Sequence, residues 1–208
     1  MLDKVETMIR TWRYQSFCDP FGFSRAALRK HITTGAFASR GEHIDNRDEV
    51  DGTSKQIRFT YTGGLYFGTA MYLIDLGIFS HDAFRAALAF AELGNSPATW
   101  GDDPPQITRS NHRAPGKIFA AGRTLFVADP RRRDDLSGLP LHRVICTADP
   151  EFERSESLLS APEAGMVTGD PGALAIVDVS ALGYRLCAHL KVDPVEYLIT
   201  PAPEGGWK

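Results

Sequence analysis

Twelve consecutive residues, Leu65-Tyr66-Phe67-Gly68-Thr69-Ala70-Met71-Tyr72-Leu73-Ile74-Asp75-Leu76, carry one charge, at Asp75. A segment this apolar around its whole circumference predicts a buried helix. It is too short to span a bilayer, and Gly68 and Asp75 interrupt it. Gly77 ends the helix, and Ser80 is placed to cap the next, His81 to Leu93. There Ala83, Phe84, Ala87, Leu88 and Ala91 recur at helical spacing.

Ahead of this pair, Ser24 to Phe37 reads as a short basic amphipathic helix. Ser24 caps its first turn, and Gly35 supplies the left-handed residue that closes the last. Ala27, Leu28 and Ile32 form an inward stripe, with Phe37 just beyond it. Arg25, Arg29 and Lys30 stay on the outer side with His31 close by. A rigid helix with an apolar back and a cationic front fits the major groove of DNA, and an ordinary solvated surface helix has the same pattern. The stretch from Ala38 to Gln56 is polar and turn-rich, and Ile57-Arg58-Phe59-Thr60-Tyr61 then alternates as a half-buried strand. A helix, a loop and a strand in this order suit a winged helix-turn-helix, with Arg40, Lys55 and Arg58 where a wing meets phosphates. Glu42, Asp45, Asp48, Glu49 and Asp51 share the same loop and repel DNA unless they point away.

The order Ser24-x-x-x-Leu28-Arg29, Gly35-Ala36-Phe37, Arg58-Phe59-Thr60-Tyr61 and Leu73-Ile74-Asp75-Leu76-Gly77-Ile78 resembles the DNA-binding domain of MerR-type regulators across roughly residues 16 to 93. The resemblance implies a recognition helix, a wing with an Arg-aromatic strand, and a following helix that ends in a Leu-Gly-hydrophobic signature. It also implies double-stranded DNA as partner, a homodimer, and Ser24, Arg25, Arg29, Lys30, His31, Arg40, Lys55 and Arg58 as the DNA-binding set. The chain departs from the family in opening its post-wing helix with Gly63-Gly64 instead of acidic residues. Its loop before Ile57 is longer and more acidic, and Asp19-Pro20-Phe21-Gly22 is a turn. The first helix of the motif is therefore expected from Val5 to Phe17, with Arg10 and Arg13 reaching the DNA backbone.

The formal net charge is −3, so the chain is not coated with cations, and distribution matters more than the total. From Arg10 to Arg40 there are six basic residues against one acid, Asp19. Cys18, Cys146 and Cys187 are far apart, odd in number and set among apolar neighbours, which predicts buried free thiols in a reducing, cytoplasmic setting. The six histidines are dispersed without metal-ligand spacing, and Met1-Leu2-Asp3-Lys4 lacks the apolar run of a signal peptide. These readings call for no metal and no cofactor.

Breakers crowd residues 94–117: Gly94-Asn95-Ser96-Pro97, Asp102-Asp103-Pro104-Pro105 and Ala114-Pro115-Gly116. They predict a linker between a DNA-binding domain over 1–93 and an α+β dimerisation or sensing unit over 118–208, pinned by Trp100, Ile107 and Arg109. Asn111-His112-Arg113 resembles nuclease chemistry only superficially, with no metal-ligating partner nearby in sequence.

In the second half, Thr124 to Ala128, Arg143 to Thr147 and Leu174 to Val179 read as strands, the first two stopped by Asp129-Pro130 and Asp149-Pro150. Ser180 is placed to cap a helix over Ala181 to Leu190, and Asp193-Pro194 begins a last short one. Arg131-Arg132-Arg133 beside Asp134-Asp135 reads as a self-neutralising solvated loop.

The expected fold is therefore α+β: an N-terminal winged helix-turn-helix, further helices, then a small α+β unit. The expected function is a MerR-like transcriptional regulator, with an effector or protein partner unidentified and no membrane partner. Two alternatives stand beside it. One is a winged-helix interaction module without DNA binding. The other is a Mg²⁺-dependent enzyme in which parallel strands bring Asp129, Asp149 and Asp178 together.

Overall fold

The computed structural model describes residues 10–33, 44–45, 58–96, 106–149, 174–204 and 206–207. Within them the chain is mixed helix and sheet, of the α+β class. Strand β1 (Trp12–Arg13) leads into a 3-10 turn (Tyr14–Phe17) and the one-turn helix α1 (Cys18–Phe21), then α2 (Arg25–Thr33). Strands β2 (Ile44–Asp45) and β3 (Arg58–Phe59) precede the long helix α3 (Tyr61–Asp75) and α4 (Ser80–Glu92). Strands β4 (Thr124–Arg133), β5 (Pro140–Cys146) and β6 (Ala175–Asp178) are followed by α5 (Val179–Leu190) and α6 (Pro194–Tyr197). Two antiparallel sheets result, ordered β1-β3-β2 and β5-β4-β6.

Helix α3 is the centre of the molecule. Leu65, Phe67, Ala70 and Leu73 are wholly buried, and helix or sheet covers α3 on several sides. Its glycines explain how. Gly64 and Gly68 lie one turn apart, and a Cβ on Gly64 would stand 1.8 Å from Cε1 of Phe17. A Cβ on Gly68 would stand 2.6 Å from Cε2 of Phe21. Phe17 and Phe21, themselves four residues apart, thus lie in the groove that the missing side chains leave. Gly22, left-handed at φ 73°, closes α1 just beyond them and turns the chain toward α2. Gly63-Gly64 therefore belongs to the helix, which begins at Tyr61 because Thr60 Oγ1 accepts the Gly63 amide at 3.0 Å. The strand expected over Ile57 to Tyr61 keeps only Arg58 and Phe59 among the described residues.

The first helix expected over Val5 to Phe17 is replaced, where the chain is described, by β1 and the 3-10 turn. Pairing decides it: Trp12 and Arg13 lie opposite Phe59 and Arg58, and Trp12 packs edge-on against Tyr197 at 5.9 Å. Ser80 does not cap α4 with its side chain; the N-cap is Phe79 and the Ser80 hydroxyl faces α2. Likewise Asp178, not Ser180, caps α5, accepting from the Ala181 amide at 2.9 Å. Ser180 is buried and accepts instead from the amide of Thr124 at 2.8 Å, tying α5 to β4.

The buried core is continuous. It runs from Phe17, Phe21 and Leu28 through α3 and α4 to Phe126, Ala128, Val177, Leu186 and Leu198, so it draws on residues from both sides of 94–117. Tyr61 Oη donates to the Gly183 carbonyl at 2.9 Å and accepts from Cys187 Sγ at 3.2 Å, a buried polar link between α3 and α5. Burial holds the Tyr61 hydroxyl far above the usual tyrosine range, so it stays protonated. All three cysteines are buried and free.

Part of the segment expected as a linker is built around Arg113, which is 1% exposed. Its Nε donates to Asn95 Oδ1 at 2.8 Å, and Nη1 donates to the carbonyls of Phe90 and Lys117, each at 3.1 Å. Nη2 donates to the Leu93 carbonyl, and the guanidinium lies 4.5 Å from the Phe90 ring centroid. The Phe90 and Leu93 carbonyls sit at the C-terminal end of α4, where the helix dipole favours a cation. Burial lowers its pKa to about 10, which leaves the group charged at neutral pH.

Two substitutions test this packing. Gly64→Ala in an open helix gains about 1 kcal/mol from propensity. Here urea unfolding is expected to show a loss of about 1–3 kcal/mol, from overpacking against Phe17, partly restored by Phe17→Leu. Arg113→Met is expected to cost about 3 kcal/mol, and Arg113→Lys nearly as much, because an ammonium cannot span carbonyls placed for a planar fork. A wild-type urea midpoint in either Arg113 variant contradicts the role given to it.

Candidate nucleic-acid interface

Helix α2 is held by one face. Ser24 Oγ accepts the Ala27 amide at 3.1 Å, giving the predicted cap. Leu28 is buried in the core and Ala27 packs against it, while Arg25, Arg29 and Lys30 are exposed. The chain thus carries three cations along the solvent side of a nine-residue helix. Gly35, Phe37 and the side chain of Ile32 lie outside the described residues.

His31 is placed differently from its neighbours. Its ring is half-buried, 5.6 Å from the ring of Phe84, and Nδ1 is 3.1 Å from Ser80 Oγ. Burial, then Lys30, lowers its pKa against a smaller opposing effect of Asp75. Its neutral imidazole works as a spacer between α2 and α4 more than as a phosphate partner.

Arg58 is committed as well. Nε donates to Thr11 Oγ1 at 2.9 Å and Nη2 to the Thr11 carbonyl at 3.0 Å, which fastens the chain entering β1 to β3. Strand β2 pairs antiparallel with β3, Ile44 opposite Phe59 and Asp45 opposite Arg58, so residues 46–57 connect the two strands of a hairpin. Arg40 and Lys55 lie outside the described residues. Arg10 is exposed and its guanidinium lies 5.1 Å from the Trp12 ring centroid; Arg13 is exposed.

The carboxylates proposed for Mg²⁺ do not come together. Strand β4 runs antiparallel to both neighbours, not parallel, with Asp178 opposite Leu125 and Asp129 opposite Leu141. Four residues along β4 separate those registers, about 13 Å. Asp149 lies past the end of β5, on the other side of β4 from β6. Each of the other two has local work: Asp178 caps α5 and pairs with Arg123, and Asp129 Oδ1 accepts the amides of Arg131 and Arg132. Nor does Asp129-Pro130 stop its strand. Pro130 sits where the ladder shifts register, so its missing N–H is tolerated and β4 runs on to Arg133. Among the described residues no group of three or more His, Cys, Asp or Glu is placed to hold a metal ion. In Asn111-His112-Arg113, Asn111 Oδ1 accepts the Thr108 amide, His112 faces Ser96 and Trp207, and Arg113 is the buried cation above.

No protein-family model matches the chain, no curated protein matches its sequence, and no solved structure matches its fold. Among the described residues no helix is long and apolar enough to cross a membrane.

The His31 contact has a pH signature. A depressed folded-state pKa stabilises the neutral form, so this contribution is present above the unfolded histidine value near 6.5 and is lost as pH falls through the folded value. Thermal melts are expected to show stability declining below about pH 6.5. The decline is expected to be shallower in His31→Gln; identical profiles would remove His31 from the α2–α4 contact.

Proposed function

We propose that this protein is a DNA-binding transcriptional regulator of MerR-like, winged helix-turn-helix type, with α2 as the helix that enters the major groove. The observation that carries the reading is the division of α2: Leu28 anchors it in the core while Arg25, Arg29 and Lys30 are all exposed. The β2–β3 hairpin that follows suits a wing, and Ser24 sets the N-terminus whose free amides favour a phosphate.

In this reading Arg25, Arg29 and Lys30 divide between phosphates and base edges. Arg40 and Lys55, outside the described residues, are assigned by sequence to the flanking backbone. Arg58 and His31 act indirectly, Arg58 by fixing β1 to β3 and His31 by setting α2 against α4. A homodimer doubles the contact and matches palindromic half-sites, and the C-terminal strands and helices supply the dimerising or sensing surface.

Fluorescence anisotropy tests the reading, with duplexes from upstream of the protein's own coding region and random duplex as competitor. Arg29→Ala and Lys30→Ala are each expected to weaken binding several-fold at low salt. Each phosphate contact removed lowers the slope of log K against log salt by about 0.9. A lost bidentate guanine contact costs roughly 1–3 kcal/mol and relaxes specificity at one position. Unchanged affinity and slope in both variants sink the assignment of α2; no binding at low salt leaves the interaction-module reading.

A further inference from the structure

We propose that the basic surface of α2 continues across the first turn of α4 onto Arg131 and Arg132, which gives duplex DNA a second line of phosphate contacts. The inference rests on reading α2 as the DNA-facing helix. The continuity is geometric. On one side, His31 at the end of α2 meets Ser80 at 3.1 Å and the Phe84 ring at 5.6 Å. On the other, Asp82, between those two residues, accepts from Arg133 Nη2 at 2.7 Å. Ser80 to Phe84 spans only about 6 Å of helix, so α2 and the end of β4 flank the same turn. Arg85, one turn on from Asp82, is exposed.

The arginine run is part of β4, not the loop its composition predicts. The Asp129 carboxylate holds the amides of Arg131 and Arg132 at 2.9 and 3.3 Å and so shapes the strand there. Two acids close to it have partners of their own. Asp134 is turned onto the amides of Ser137 and Leu136, which hold its carboxyl below the usual range. Asp82 is spent on Arg133, whose other arm donates to the Gly138 carbonyl at 2.7 Å. Asp135 is the exposed acid beside the run, and Arg131 is exposed. Arg132 is half-buried, and its Nη1 is buried without a hydrogen-bond partner among the described residues. Swinging that side chain out to a phosphate exchanges an unsatisfied N–H for a charge-assisted hydrogen bond.

The test is anisotropy of the full chain on a mixed-sequence duplex over a salt series, comparing the single variants Arg131→Glu, Arg131→Lys and Arg29→Gln and the double variant Arg131→Gln plus Arg132→Gln. Arg131→Glu is expected to weaken binding roughly tenfold at low salt. The double Gln variant is expected to lower the salt slope by about 1.8, two contacts at about 0.9 each, while Arg131→Lys keeps it. Thermal melts identify any variant that misfolds; Arg131, being exposed, keeps the comparison valid if Arg132→Gln is unstable. Wild-type affinity and slope in the Arg131 variants, with Arg29→Gln weakened, overturn this proposal and leave α2 standing. Weakening by the Arg131 variants but not by Arg29→Gln overturns α2 as the DNA-facing helix, and with it the continuity. No binding by the wild type overturns both.

Discussion

Two phenyl rings occupy the space where two side chains are absent. Phe17 and Phe21 fill the groove that Gly64 and Gly68 leave on α3, and the position of everything before α2 follows from it. With larger residues at 64 and 68, the 3-10 turn and α1 are pushed away from α3, and the turn at Gly22 no longer delivers α2 against α4. Phe59, 5.5 Å from Phe17 and 5.9 Å from Phe67, extends the same aromatic layer to β3. The small sheet and the basic helix therefore take their places from one close approach of backbone and ring, where each ring buries a large apolar area.

Arg113 does the corresponding job on the other side of α3 and α4. A buried guanidinium is expensive, and it is retained where carbonyl oxygens converge to replace its water. The end of α4 provides them, and the paired backbone of Asn95 and Arg113, 2.8 Å in both directions, fixes the returning chain there. From this point the chain reaches Ile118, whose amide donates to Leu198 at 2.9 Å, and then β4. The polar groups at this junction satisfy each other, while Phe126, Val177 and Leu186 close the apolar core beneath α3.

The proposed interface inherits its rigidity from this arrangement. Exposed cations on a helix contribute little to stability, and Arg25, Arg29 and Lys30 face solvent where Arg113 is buried. Arg58, Arg113 and Arg133 are equally basic in sequence, yet each is bound by particular oxygens in the fold. Counting arginines thus overstates the surface available to a phosphate, and following each guanidinium to its acceptors corrects the count.

What the sequence determined is local. The apolar run to Leu76 is a buried helix, Ser24 and Asp193 cap helices, Gly77 follows the end of α3, and β4, β5 and β6 lie where β-rich runs predict strands. Each depends on periodicity or on hydrogen bonds within a few residues, which a linear reading contains. Tertiary structure decided the rest. Whether Trp12-Arg13 is helix or strand depends on a partner more than forty residues away, as does the hold of Thr11 on Arg58. Why Gly64 stands in a helix is not legible until the Phe17 ring is known to need the room. Asp129, Asp149 and Asp178 read as a metal site only if the strands are parallel, and β4 pairs antiparallel with both its neighbours. The solvent-facing Arg29 and Lys30 of α2 were legible in sequence because a 3.6-residue period turns them away from Leu28. The inward turn of His31 was not, because it depends on where α4 comes to rest.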